Sequence, residues 1–136
     1  MQTIIRTTSR QREELVDITS QIRELVADCG VESGLCSIYV RGSTAGIMIQ
    51  ENWDDSVQRD VVSLLQKLIP QGVWEHDRQD GNGDSHLKAG IIGPSETVPV
   101  MHGALALSTW QNIFLCEFDG PRREREILVT VIPLSP

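Results

Sequence analysis

Aromatic side chains are scarce in this chain: three Trp, two Phe and one Tyr make up 4% of 136 residues. Basic side chains are outnumbered, 12 against 19 acidic, and the formal net charge is −7. Such a surface repels a phosphate backbone unless its bases cluster, and the visible cluster, Arg122, Arg123 and Arg125, is interleaved with Glu124 and Glu126. Nucleic acid is therefore not an expected partner. Cysteine is sparse as well. Cys29, Cys36 and Cys116 are odd in number, far apart and form no CxxC pair, which argues against a disulfide framework or a zinc ribbon and for a reducing, cytoplasmic setting. Residues 1–30 show no basic-then-apolar leader pattern, and Arg6, Arg10 and Arg23 interrupt any stretch long enough to span a bilayer, so neither export nor a membrane partner is expected. Linkers, low-complexity tracts and internal repeats are absent, and the sequence reads as a single domain, 1–136, with only Pro133-Leu134-Ser135-Pro136 frayed. A domain of this size buries roughly 70% of its unfolded surface, enough for a core without disulfide or metal staples.

What is present is mostly strand-like. Thr3–Thr8 is rich in β-branched residues, and Leu15–Ile18 reads as a second short strand. Thr19 is placed to cap a helix over residues 20–29, because Ile22, Leu25, Val26 and Cys29 recur at helical spacing before Gly30. Alternation returns in Leu35–Arg41 and Ala45–Glu51, predicting adjacent strands on either side of Gly42-Ser43-Thr44. Asp54 or Asp55 caps a longer helix whose stripe is Val57, Val61, Leu64, Leu65 and Leu68, ending before Pro70. Residues 75–86 read as a polar loop, and 87–92 fit either a helical turn or a strand. Strands follow at Val98–Met101, Leu105–Leu107, Asn112–Phe118 and Glu126–Ile132, with a turn at Gly120-Pro121. The expected fold class is α+β, mainly antiparallel strands packed with two helices.

The densest chemistry lies between His76 and His86, where two imidazoles, the carboxylates of Asp77, Asp80 and Asp84, and two glycines share eleven positions. Imidazole nitrogen and carboxylate oxygen suit divalent metals, and glycine lets the backbone fold back on itself; a solvated surface loop is the competing reading. Glu51 and Asn52 close a strand, where an exposed terminal acid is the simpler assignment. Glu117 stands in a strand with both faces apolar and needs a partner, for which Arg122 or Arg123 is expected. Trp110 reads first as a core anchor, although with Gln111 it has the chemistry to hold a flat ring. Ser43 and Thr44 offer hydroxyls and N–H groups to an anion, or simply turn the chain. No hydrolase triad can be assembled from the spacing.

In order, Ser43-Thr44-Ala45-Gly46, Gln50-Glu51-Asn52, Asp60, His76-Asp77 with Gly81-Asn82 and Asp84-Ser85-His86, Pro99-Val100, Thr109-Trp110-Gln111, and Glu117-Phe118-Asp119-Gly120-Pro121-Arg122 resemble the blocks of the YjbQ family of small proteins, also called secondary thiamine-phosphate synthases. The resemblance covers most of the chain. It implies a homotrimer with its polar family positions in a pocket near subunit contacts, and a weak activity joining a pyrimidine diphosphate to a thiazole phosphate. One departure stands out: the family usually reads His-Thr-Thr-Ala-Gly where this chain has Gly42-Ser43-Thr44-Ala45-Gly46. A three-histidine metal site of the usual kind is thereby lost. His102 is the compensating candidate. Asp80 and Ser85 also replace the common glutamate and alanine.

Two functions compete. In the first, His76 and His86 with Asp84 or Glu51 form the catalytic group and hold a divalent metal, Mg or Zn, while Ser43, Thr44, Asn52, Trp110, Gln111 and Arg122 bind a small phosphorylated molecule. In the second, loss of the histidine at Gly42 leaves a non-catalytic trimeric binding or scaffold protein. A metal-assisted phosphate hydrolase is a weaker third reading.

Overall fold

Alternating apolar residues form strands here because one face of each must leave water, and the register of every pairing follows from that requirement. The computed structural model describes residues 1–135. Their elements run β1 (Gln2–Ser9), β2 (Glu14–Asp17), α1 (Thr19–Asp28), β3 (Gly34–Val40), β4 (Ala45–Glu51), α2 (Asp55–Leu68), a 3₁₀ turn (Glu75–Arg78), α3 (Gly83–Ile92), β5 (Ser95–Met101), β6 (Ala104–Leu105), β7 (Gln111–Glu117) and β8 (Arg122–Pro133). They build an α+β fold. The larger sheet has the order β1-β8-β3-β5-β6 and the smaller one β2-β7-β4, with antiparallel pairing throughout.

Cys36, Ile38 and Val40 of β3, Val98 and Val100 of β5, and Ile127, Val129 and Val131 of β8 line the inner face of the larger sheet. Ile47 of β4 and Ile113 and Leu115 of β7 meet them, and Ile22 and Val26 of α1 join the same core. Each such side chain contributes about 1.5–3 kcal/mol by leaving water. On the other face of the small sheet, Cys116 and Phe118 pack against Leu65 of α2 and Ala89 of α3. The small sheet is thus covered on both sides, which explains the unbroken burial of Ile113–Phe118.

Several expectations change. There are three helices among the described residues, not two: residues 87–92 belong to α3, whose first turn takes in Gly83–His86 from the expected loop. Thr19 lies inside α1, and Ile18 occupies the cap position. The Thr19 hydroxyl instead accepts the Ile113 N–H at 2.8 Å, joining α1 to β7. Asp54 caps α2 by accepting the Ser56 N–H, but only Leu65 of the helix stripe is buried; Leu64 and Leu68 face outward. The Leu105–Leu107 strand shortens to Ala104–Leu105, and β8 begins at Arg122. Pro133 closes β8, and the Leu134 N–H donates to Ser33 O at 3.0 Å, so that part of the tail is held; Pro136 lies outside the described residues.

Candidate functional site

Asp77 brings the two imidazoles together. Its carboxylate accepts the Trp74 N–H at 3.1 Å and the Gly83 N–H at 2.8 Å, tying the 3₁₀ turn to the first residue of α3. Gly83 permits the approach, since a Cβ there would stand 2.8 Å from Trp74 Cβ and 2.9 Å from Asp77 Oδ1. His76 and His86 consequently meet edge to face with ring centroids 4.8 Å apart. Trp74, Glu75, His76, Gly83, His86 and Leu87 line an open cleft of about 540 Å³ there. His86 Nδ1 lies 3.1 Å from Ser43 O. A carbonyl can only accept, so Nδ1 carries the proton and the Nε2 lone pair is left to bind a cation or take a proton. His76 Nε2 lies 3.5 Å from Asp80 Oδ2.

Asp84 does not join them. It is fully buried on the opposite side of α3, where Lys88 Nζ donates to Oδ2 at 2.8 Å and Arg12 to Oδ1 at 3.1 Å. Burial alone would lift this carboxyl; the hydrogen bonds and charges of Arg12 and Lys88 outweigh it and hold the group below its ordinary range. Lys88 also donates to Glu13 Oε1 at 2.6 Å, and Ser85 donates to Phe118 O at 2.6 Å. The inner side of α3 is therefore a polar clamp, and His86 projects from its outer side. At the C-terminal end of α3, Gly93 O accepts the Ile47 N–H at 3.0 Å, and Gly46 leaves room for that contact.

Glu51, Asn52, Trp110 and Gln111 lie at the far end of β4 and β7. Ser43 and Thr44 precede β4 and Glu51 ends it, so one strand, about 20 Å, separates the groups. Trp110 is half exposed, not a core anchor, and stacks edge to face on exposed Trp53 at 4.8 Å. Glu51 is half-buried. Its Oε1 accepts the Trp53 N–H, while Oε2 is buried without a partner. Asn52 donates to Asn112 Oδ1 at 2.7 Å, and Gln111 Oε1 accepts the Ser108 N–H. His102 sits in the β5–β6 turn with φ 51°, where Gly103 N–H donates to Glu32 O.

The partner of Glu117 is Arg125, not Arg122 or Arg123. Arg125 Nε donates to Glu117 Oε1 at 2.9 Å and Nη2 to Oε2, while Ser9 donates to Oε1 at 2.7 Å. Burial pushes the Glu117 carboxyl up, and the hydrogen bonds from Arg125, Ser9 and the Asp119 N–H more than offset it, leaving the group below its ordinary value. Arg122 donates instead to the backbone and carboxylate of Asp119, and that carboxylate also accepts from Asn82, the residue preceding α3. Sequence reasoning counted Asp77 among the carboxylates of the His76–His86 segment and Arg125 in the basic cluster, but assigned neither its role as a link between elements. Arg125 had a signal: it alternates with Ile127, Val129 and Val131, so it points inward. Among the described residues, no group of three or more His, Cys, Asp or Glu side chains is gathered for a metal.

The fold places this chain among small two-sheet α+β proteins, and its site is a pair of imidazoles where the 3₁₀ turn meets the first turn of α3. Residues 3–134 match the family described as UPF0047 protein YjbQ-like, and this chain belongs to that family. It is 45% identical over 124 residues to a UPF0047 protein of Methanocaldococcus jannaschii, covering 91% of this chain and 88% of the relative. It is 40% identical over 115 residues to UPF0047 protein YugU of Bacillus subtilis, covering 82% and 85%. A YbjQ-like protein of unknown function from Sulfolobus solfataricus superposes with a TM-score of 0.94 at 36% identity, over 98% of this chain and 96% of that one. A hypothetical protein of Aeropyrum pernix gives 0.92 at 32% identity, covering 98% of both chains. No helix among the described residues is long and apolar enough to cross a membrane.

Proposed function

We propose that the His76–His86 cleft takes a divalent metal, Mg or Zn, together with a small phosphorylated molecule, as a weak synthase of the thiamine-phosphate type in a cytoplasmic homotrimer. The carrying observation is the His86 Nδ1–Ser43 O contact, which engages one ring nitrogen and leaves Nε2 free for a cation, with the His76 ring edge to face at 4.8 Å. The two imidazoles fit a metal as partial ligands, with water or another copy completing the set. A bound ion would supply charge neutralisation for a departing diphosphate. The protein's own contributions are positional: Asp77 sets the spacing of the imidazoles, and Arg122, anchored by Asp119, presents its half-exposed guanidinium toward an anion.

Trp110 and Gln111 serve the ring of the substrate in this reading, yet they stand one strand length from the histidines within a chain. A trimer supplies them from a neighbouring copy. Exposed Trp53, Leu64, Leu68, Leu87 and Ile91 provide apolar surface for such contacts. Calorimetric titration with Zn²⁺ and Mg²⁺, paired with a product assay, is the test. Saturable binding lost in His86→Ala, with loss of product, supports the proposal; no metal binding and equal activity in wild type and variant defeats it.

A second reading is a non-catalytic trimeric binding or scaffold protein. The space next to Gly42 favours it: a Cβ there would fall 2.7 Å from Arg125 Nη1, so an arginine occupies the ground beside the missing imidazole. Under this reading wild type binds no metal, and Gly42→His acquires affinity only if Arg125 swings aside.

A further inference from the structure

Arg125 is buried to all but 6%, yet its guanidinium is only partly used. Nε and Nη2 are spent on Glu117 and Thr44, with Nη2 donating to Thr44 Oγ1 at 2.8 Å. Nη1 makes no hydrogen bond among the described residues. Nor is it sealed in: the buried side-chain polar atoms that lack a partner are Thr7 Oγ1, Glu51 Oε2 and Asn82 Oδ1. It abuts the place where a side chain at residue 42 would begin, and glycine leaves that place open.

A second observation concerns the same turn. The N–H groups of Gly42, Ser43 and Thr44 donate to no backbone or side-chain acceptor among the described residues, and neither does the exposed Ser43 hydroxyl. Two of the three carbonyls of this turn are occupied, Ser43 O by His86 and Thr44 O by the Phe118 N–H. What remains around the turn is mostly donors: the two Nη1 hydrogens, consecutive backbone N–H groups and a hydroxyl. Of these, Arg125 Nη1 belongs to a buried side chain and Gly42 and Thr44 are half-buried and buried, and such donors suit an acceptor with several lone pairs.

We infer that the Gly42–Thr44 turn, backed by Arg125 Nη1, is an anion subsite fitted to the phosphate group of a small phosphate monoester. Because Glu117 already balances the charge of Arg125, the subsite holds its ligand by directed hydrogen bonds more than by net charge, and millimolar affinity is expected for a bare phosphate. The subsite deepens the proposed function by placing the phosphate beside His86, but it needs no metal to bind.

Inorganic phosphate is the probe, titrated by calorimetry into protein stripped of metal on a chelating resin. Wild type should bind saturably. Gly42→Ala, whose methyl group would stand 2.7 Å from Nη1 and displace it, should bind at least tenfold more weakly. Arginine-selective ¹⁵N NMR of wild type reads the same event independently, with the Arg125 guanidinium resonance moving at the calorimetric midpoint. No saturable binding, equal binding in Gly42→Ala, or an unmoved Arg125 resonance overturns the subsite. Binding that is lost in His86→Ala but kept in Gly42→Ala places the anion on the imidazoles, removing the subsite while leaving the metal proposal intact. Phosphate binding retained in a protein that takes up no Zn²⁺ or Mg²⁺ has the opposite meaning.

Discussion

Among single residues, the buried acids and thiols have the sharpest consequences. Glu117 ionised in the fold and free in the unfolded chain are different acids: the folded carboxyl titrates below its ordinary value of 4.5. The folded state therefore gains stability that is complete above that value and is lost as pH falls through the lower, folded one. Acid titration of the denaturation midpoint should show a decline beginning below about pH 4.5. Replacing Glu117 by Gln strands a buried guanidinium and should cost about 3–5 kcal/mol at neutral pH, read from urea unfolding. Burial also pushes the Cys36 thiol up to about 11 and Cys116 to about 12. A thiol reagent at pH 8 should titrate Cys29 alone in the native protein, with Cys36 and Cys116 appearing only in denaturant.

At the scale of elements, α3 separates what the sequence could tell from what it could not. Strands β3 and β8 were legible because their buried faces are apolar and alternate strictly. The α3 helix has the reverse design. Its buried residues are Gly83, Asp84, Ser85, Lys88 and Ala89, so no apolar stripe marks it, and Gly83 and Gly90 lower its helix propensity. Its stability comes from partners remote in sequence, Glu13 and Arg12 before α1 and Phe118 after β7. The same remoteness hid the assignment of Asp84, which by composition belonged with the histidines and by geometry belongs to the clamp. The His76–His86 encounter was legible as a density of ligand types; the means of their meeting, Asp77 across to Gly83, was not. Asp77→Ala should part the rings, weakening any metal binding by roughly 10–100-fold with a comparatively small change in melting temperature. Metal calorimetry beside a thermal melt separates this positioning effect from unfolding.

For the molecule as a whole, the two sheets lock at one end through Arg125 and Glu117 while α2 leaves Leu64 and Leu68 uncovered. A protein with net charge −7 and apolar side chains outward on two helices is expected to associate by those apolar faces. Sedimentation should give a mass three times that of one 15.1 kDa chain, and Leu64→Glu with Leu68→Glu should shift it toward the single chain.

The length of β4 has one more consequence. If imidazoles at one end of the strand work with the tryptophan at the other end of a neighbouring copy, two crippled proteins can repair each other. His86→Ala and Trp110→Ala, each inactive alone, should regain turnover when co-refolded. In a three-membered ring, every hybrid would rebuild about one site in three. Dilution to the point of dissociation should silence wild type and hybrid alike.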